Sequence, residues 1–273
     1  MKIKNHRLFH EDDSPFPYVE SPNRGGTIQP RFLIIHFTAG RSAQSSIDWL
    51  TNSAAKASAH VVIGRDGLIT QLVPFNRRAW HAGRSSWRGL DGMNDYSIGI
   101  ELDNAGELTH QGNQWVAWFG QKYMDSDVLE AAHKHDNKIS GWHMFTADQI
   151  EATVQLGLIL ADRYHLEEAI GHEDVAPGRK RDPGPAFPLA SVAARIFGRE
   201  HDGPNEYETT VRLNIREGPG TSFPTLAGSP LALGTRLKAL DKRFPWFFVE
   251  TPAPPGGEPF QGWVHGDYLL PVP

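Results

Sequence analysis

Arg31-Phe32-Leu33-Ile34-Ile35-His36-Phe37-Thr38-Ala39-Gly40 sets an apolar run directly against a histidine and a turn. Residues 31–36 contain too little polar alternation for a half-exposed strand and read as a short buried one. Thr38-Ala39-Gly40 then turns the chain into a helix-like stretch, residues 42–52. His36 therefore falls at the carboxyl end of a buried strand, a frequent location for active-site residues.

A second stretch needs such a partner. Gly171-His172-Glu173-Asp174-Val175-Ala176-Pro177-Gly178-Arg179-Lys180-Arg181-Asp182-Pro183-Gly184-Pro185 is too rich in proline and glycine to continue as helix. A loop stiffened in this way gives up little further entropy when its side chains are fixed. His172, Lys180 and Asp182 are its chemistry-bearing residues. Catalytic zinc takes three protein ligands and keeps a fourth position for water, so a His and an Asp here call for another His, and His36 offers one. Each residue also has an ordinary reading. A lone histidine after a strand is commonly packed or solvated, and an Asp before Pro is at home in a turn.

Composition narrows the function classes. The chain has 273 residues, room for one medium domain and a small one, with 39% hydrophobic residues and a mean hydropathy of -0.43. Its 27 basic and 32 acidic residues give a net charge of -5, which argues against a nucleic-acid binder. With no cysteine there is neither a disulfide nor a thiolate metal site, and any metal must be held by histidine nitrogen and carboxylate oxygen, for which 13 histidines suffice. No apolar stretch is long enough for membrane insertion. The start, M-K-I-K-N-H-R-L-F-H-E-D-D, lacks the apolar centre of a secretory signal, and the lack of cysteine excludes a lipoprotein anchor. The expectation is synthesis in the cytoplasm, with access to any outer target by lysis or a dedicated export machine.

Along the chain, residues 1–30 are polar and punctuated by proline, an irregular arm. Residues 61–63, 69–73 and 97–102 read as strands, with Arg65-Asp66-Gly67 a turn between the first two. Thr146 and Gln149 form a capping-box pattern ahead of Ile150, Val154, Leu158 and Ala161, predicting a helix to about Tyr164. A shorter helix spans 189–197. Residues 105–144 look like an insertion beside the groove, a polar loop with Trp115, Trp118 and Trp142. His133, His135 and His143 there invite a second metal site, although their irregular spacing favours solvated or substrate-facing roles. Residues 199–206 read as a linker, and 207–273 become short strands with frequent turns, a small all-β barrel.

Taken together, five blocks resemble a known family: F-L-I-I-H-F-T-A-G (32–40), S-A-H-V-V-I-G-R-D-G-L-I-T-Q-L-V-P (58–74), A-W-H-A-G (79–83), N-D-Y-S-I-G-I-E-L (94–102) and the run 171–185. In this order they look like the zinc-dependent N-acetylmuramoyl-L-alanine amidases, the type that also includes the peptidoglycan recognition proteins. The resemblance implies an α/β fold over 1–198, a mixed central sheet flanked by helices, and a substrate of peptidoglycan or muropeptides. It also implies Zn²⁺ held by His36, His172 and Asp182, with Glu101 and Lys180 as catalytic residues. Glu101 points away from Ile100 and Leu102 on its strand, toward the groove. For Lys180 the local sequence alone suggests a solvated charge beside Arg179 and Arg181, and the family match reverses that preference. Trp80 and His81 either touch sugar and peptide or are structural, and Lys56 is a weak candidate for a peptide carboxylate. Where some recycling members carry a basic residue before the Asn-Asp motif, this chain has Asp91-Gly92-Met93, with Arg84 and Arg88 as substitutes nearby.

The blocks L-N-I-R-E-G-P-G-T-S, W-F-F-V and G-W-V-H-G-D-Y-L in the last third resemble bacterial SH3-like domains, which implies adhesion to the cell wall. The zinc-protease pattern H-E-x-x-H, the G-x-S-x-G elbow and phosphate-binding loops are absent. The complete set of five site residues favours an enzyme over a non-catalytic peptidoglycan-binding protein. A cytoplasmic amidase recycling soluble muropeptides fits the missing signal, but gives the second domain little use.

Overall fold

A computed structural model of the chain describes residues 1–198, 206–243, 246–253 and 257–272, which fall into two compact units, Met1–Gly198 and Arg199–Pro273. Of the expected linker, 199–205 lie outside the described residues, and Glu206 already opens a strand.

The first thirty residues are more ordered than their composition suggests. Strands β1 (Lys2–Lys4) and β2 (Arg7–Phe9) form an antiparallel hairpin, and β3 (Arg24–Thr27) pairs with a later strand at Arg77–Ala79. Such short pieces give no readable alternation, so the arm expected there is corrected to a hairpin and a strand. Leu8 is its anchor, buried in the main core while its N–H donates to Gln71 Oε1 at 2.9 Å.

The apolar run forms β4 (Phe32–Phe37), buried on both faces up to His36. Helix α1 (Ala43–Leu50) follows, started by a reciprocal capping box between Ser42 and Ser45. Strands β5 (Val61–Ile63), β6 (Ile69–Gln71) and β7 (Arg77–Ala79) come next, then the short hairpin β8 (Ser86–Trp87) and β9 (Leu90–Asp91), and then β10 (Ser97–Leu102). After an inserted sheet, helix α2 (Ala147–Tyr164) begins at the predicted capping box, with both Thr146–Gln149 bonds formed. Strand β16 (Glu168–Gly171), the one-turn α3 (His172–Val175) and α4 (Leu189–Phe197) complete the unit.

The central sheet has the order β16-β4-β10-β5-β6, parallel except for the β5–β6 hairpin. On one face, Leu33, Ile35, Ile98 and Ile100 pack against Val154 and Leu160 of α2 and Val192 and Ile196 of α4. Gly157 lets these two helices meet closely, since a Cβ there would run into Ile196. The opposite face carries Phe32, Ile34 and Ile170 in one cluster and Val62 with Ile47 and Leu50 of α1 in another. It is this second face that carries the site. Among the described residues no helix is long and apolar enough to cross a membrane.

The insertion 105–144 is not a polar loop. It is an antiparallel sheet of order β13-β12-β11-β15-β14, built from β11 (Glu107–Gln111), β12 (Gln114–Val116), β13 (Lys122–Tyr123), β14 (Val128–Ala132) and β15 (Ile139–His143). Several of these strands are exposed along much of their length, which hides them from a pattern search, while Leu108, Trp115 and Trp142 supply buried anchors.

The second unit has an antiparallel sheet of order β20-β19-β18-β17-β21, from β17 (Glu206–Thr209), β18 (Arg236–Arg243), β19 (Trp246–Glu250), β20 (Gln261–His265) and β21 (Leu269–Pro271). Leu213, Ile215, Leu231, Leu237, Val249 and Val264 form its core.

Candidate active site

Strand register brings the groups together. On β10, Glu101 lies opposite His36 of the parallel β4; on the other side of β4, Gly171 at the end of β16 lies opposite Ile35. His172 is the next residue, so three neighbouring parallel strands deliver Glu101, His36 and His172 to one edge. Ligand sites in open α/β sheets collect at these carboxyl ends. The stiff run then folds back, the Glu173 N–H donating to the Asp182 carbonyl at 2.8 Å, and returns Asp182 to the histidines.

His36 Nδ1 and His172 Nδ1 are 2.8 Å apart, and each lies 2.9 Å from Asp182 Oδ2. All three side chains are buried, and among the described residues they form the one cluster of His, Cys, Asp and Glu close enough to share a metal ion. The donor chemistry fits a cation. His172 Nε2 faces the Ala82 carbonyl at 3.1 Å, which can only accept, so that nitrogen carries the proton and a neutral His172 turns a bare lone pair toward the Asp182 carboxylate. Acceptor against acceptor at 2.9 Å is repulsive unless positive charge sits between them, supplied by a second proton on the ring or by a metal ion. Burial is the largest influence on Asp182 and opposes ionisation, yet the contacts with His172 and His36 hold its carboxyl well below the usual range. Burial, with His172 adding to it, pushes His36 down to about 4 and so keeps its imidazole neutral.

Glu101 is half-buried and, among the described residues, differs from these neighbours in having no hydrogen-bond partner. Its Oε2 is buried without a hydrogen bond. Burial first and the charge of Asp182 second raise its pKa well above that of an ordinary carboxylate, with the Lys180 cation working against them. Lys180 is half-buried, and its ammonium forms no hydrogen bond or ion pair within the described residues. Glu101 lines a groove of about 450 Å³ together with the 38–41 turn, Trp49 of α1, and Trp118 and Phe119 of the inserted sheet. The Trp118 indole N–H donates to the Ala39 carbonyl at 2.8 Å, which fixes the insertion as one wall of that groove.

The three substrate candidates are elsewhere. Lys56 is exposed in a left-handed turn, and Trp80 is half-buried with its N–H donating to Ser58 Oγ. His81 is buried, its Nδ1 3.0 Å from His36 Nε2, so it faces the histidines and not the groove. The histidines of the insertion are also corrected. His133 is buried against Glu173 at 2.5 Å and His143 Nδ1 accepts from the Ala105 N–H at 3.1 Å, so neither is solvated, while the exposed His135 donates to the Glu173 carbonyl. Glu173 is buried and also pairs with Lys134 at 2.9 Å. Arg88 is engaged with Glu168 at 3.1 Å. The sequence reading passed over Asn94, whose Oδ1 accepts from the N–H groups of both His81 and Ala82, and Arg179, which donates to the Ala82 carbonyl. Both lie within or beside quoted motif blocks, but their partners are set by tertiary structure.

What fold and site define together is an α/β protein with a His-His-Asp cluster fit for a metal ion and a half-buried glutamate one strand away. The chain belongs to the N-acetylmuramoyl-L-alanine amidase family, whose pattern matches residues 26–185. It is 35% identical over 177 residues to the N-acetylmuramoyl-L-alanine amidase AmiD of Escherichia coli (strain K12), covering 62% of this chain and 54% of AmiD, so it spans little more than half of that relative. It is 39% identical over 172 residues to N-acetylmuramoyl-L-alanine amidase A of Achromobacter lyticus, covering 62% of this chain and 85% of the relative. Among solved structures, a selenomethionine derivative of AmpD aligns with a TM-score of 0.50 and 26% identity, over 72% of this chain and 99% of AmpD.

Proposed function

We propose that this chain is a zinc-dependent amidase that hydrolyses the bond between N-acetylmuramic acid and the L-alanine of the stem peptide. The observation that carries the reading is Glu101, half-buried with its Oε2 buried and unpartnered among the described residues, across the β4–β10 register from His36 and beside the His36, His172 and Asp182 cluster. Two imidazoles and one carboxylate suit zinc in an open, three-ligand site. When bound, Zn²⁺ supplies Lewis-acid polarisation of the scissile carbonyl and lowers the pKa of a water. Glu101 accepts the proton of the attacking water and then delivers it to the departing L-alanine nitrogen, a double duty suited to a carboxyl with a raised pKa. Lys180, its ammonium uncommitted, stabilises the negative charge that develops on the carbonyl oxygen. The groove walled by Trp49 and Trp118 has the volume to hold part of a muropeptide, and Trp80 and Lys56 are left as outer contacts. The antiparallel second unit is consistent with an SH3-like wall-binding module that keeps the enzyme on polymeric peptidoglycan.

Purified protein incubated with isolated sacculi, with and without a chelator, tests this by mass spectrometry of the released fragments. Free stem peptides beginning with L-alanine, lost on chelation and restored by Zn²⁺, are expected. Intact wall with undiminished binding would overturn the enzyme in favour of a non-catalytic peptidoglycan binder. Cleavage of soluble anhydro-muropeptides with sacculi untouched would assign recycling instead.

A further inference from the structure

We infer that His81 is a positioning residue for the metal centre: through His36 Nε2 it holds the His36 ring as the tautomer whose Nδ1 is free to bind a metal ion. This rests on the zinc reading above.

The proton positions are set outward from one fixed end. The Ser97 hydroxyl has one proton and donates it to the Met93 carbonyl at 2.5 Å. Ser97 Oγ can then only accept, and the atom facing it is His81 Nε2 at 3.4 Å. With its one N–H at Nε2, neutral His81 is left with an acceptor at Nδ1. That acceptor lies 3.0 Å from His36 Nε2, which must donate, leaving His36 Nδ1 as a lone pair directed at His172 and Asp182. The adjacent residue does the same for the other histidine, since the Ala82 carbonyl accepts from His172 Nε2. One stretch of chain, through the His81 ring and the Ala82 carbonyl, thus turns both imidazoles the same way.

Independent features hold that stretch still. Asn94 Oδ1 takes the His81 and Ala82 N–H groups at 3.0 and 2.8 Å. At Gly99 a Cβ would lie 2.5 Å from His81 Cγ, so a hydrogen there leaves the space the imidazole fills. His60 behind it is locked as well, accepting from the Gly99 N–H at 3.0 Å and donating to the Arg77 carbonyl at 2.9 Å. Outer partners of this kind fix ring orientation and raise ligand basicity.

The test measures zinc affinity of the full chain by competition with a chromophoric chelator, apart from any turnover. His81→Leu, which fills the space but cannot accept, should weaken zinc binding by roughly 10- to 100-fold. His81→Asn, whose amide oxygen can stand near the Nδ1 position, should stay within about threefold of the unaltered chain. Gly99→Ala removes no hydrogen-bonding atom and should weaken binding in the same direction by displacing the ring. Unchanged affinity in His81→Leu, or an equal loss in His81→Asn, would overturn the role of His81. Failure of the unaltered chain to bind zinc would overturn the metal reading instead. Should His81→Leu not fold, two-bond ¹H–¹⁵N correlation spectra of the zinc-loaded, unaltered protein decide directly: an Nε2–H tautomer for His81 is expected, and an Nδ1–H tautomer would overturn the inference.

Discussion

At the scale of single residues, Glu101 carries the heaviest prediction. Glu101→Gln keeps the shape and removes the base, so activity on muropeptides should fall by about 10²- to 10⁴-fold, with zinc content unchanged by metal analysis. The pH dependence has a definite sign. Burial and the nearby Asp182 raise the Glu101 pKa, and the attacking water needs the ionised form, so kcat/KM should decline with falling pH already above the ordinary carboxylate range. Lys180 favours that ionised form. Lys180→Met should therefore move the acid limb to higher pH while lowering kcat by about 10²- to 10³-fold; an unmoved limb would separate Lys180 from Glu101. The residues delivered by these strands and the stiff loop were legible because the motif blocks preserve their spacing from strand ends. The part played by His81 was not, since its neighbours Ser97 and His36 come from other strands and become adjacent only through sheet register.

At the scale of elements, legibility followed how much of the pattern is local. The β4 run, the β10 strand and the capping box of α2 depend on contiguous residues, and the structure has them at or within a residue or two of the expected bounds. Thr146→Ala should cost about 1 kcal/mol of stability through loss of that cap, measured by urea unfolding. The inserted sheet was illegible because its strands show water much of their polar length and pair with partners up to tens of residues away. Its order depends on a few aromatics. Trp142 is fully buried, donates to the Ala131 carbonyl at 3.0 Å and lies under Arg181, which bonds Glu107 and Asp136. It thereby ties the insertion to the loop bearing Asp182. Trp142→Ala should cost about 3–5 kcal/mol if the cavity stays open, and zinc affinity should fall with it, whereas Trp142→Phe should recover part of both.

At the scale of the whole molecule, the first unit buries histidines that it holds neutral, His36 and His60 among them, and this sets its response to acid. His60, fully buried, is pushed down to about 4 from 6.5. Its folded pKa lies below its unfolded one, so between these values the unfolded chain binds more protons, and stability present above pH 6.5 drains away as pH falls toward 4. At about 1.4 kcal/mol per pH unit this one group accounts for roughly 3 kcal/mol. The thermal midpoint of the metal-free chain should drop across that window, and a flat profile would mean that these rings are charged in the fold. The two-unit division makes the last prediction. On the proposed function a soluble muropeptide would need the groove alone, while a polymer-bound stem peptide would be met at a concentration set by whatever holds the chain to the wall. Removing residues 206–273 should thus leave kcat/KM on small muropeptides within about twofold and cut the rate on intact sacculi by 10-fold or more, in the range that linked binding modules supply. Equal losses on both substrates would mean that the second unit supports the fold of the first and does not tether it.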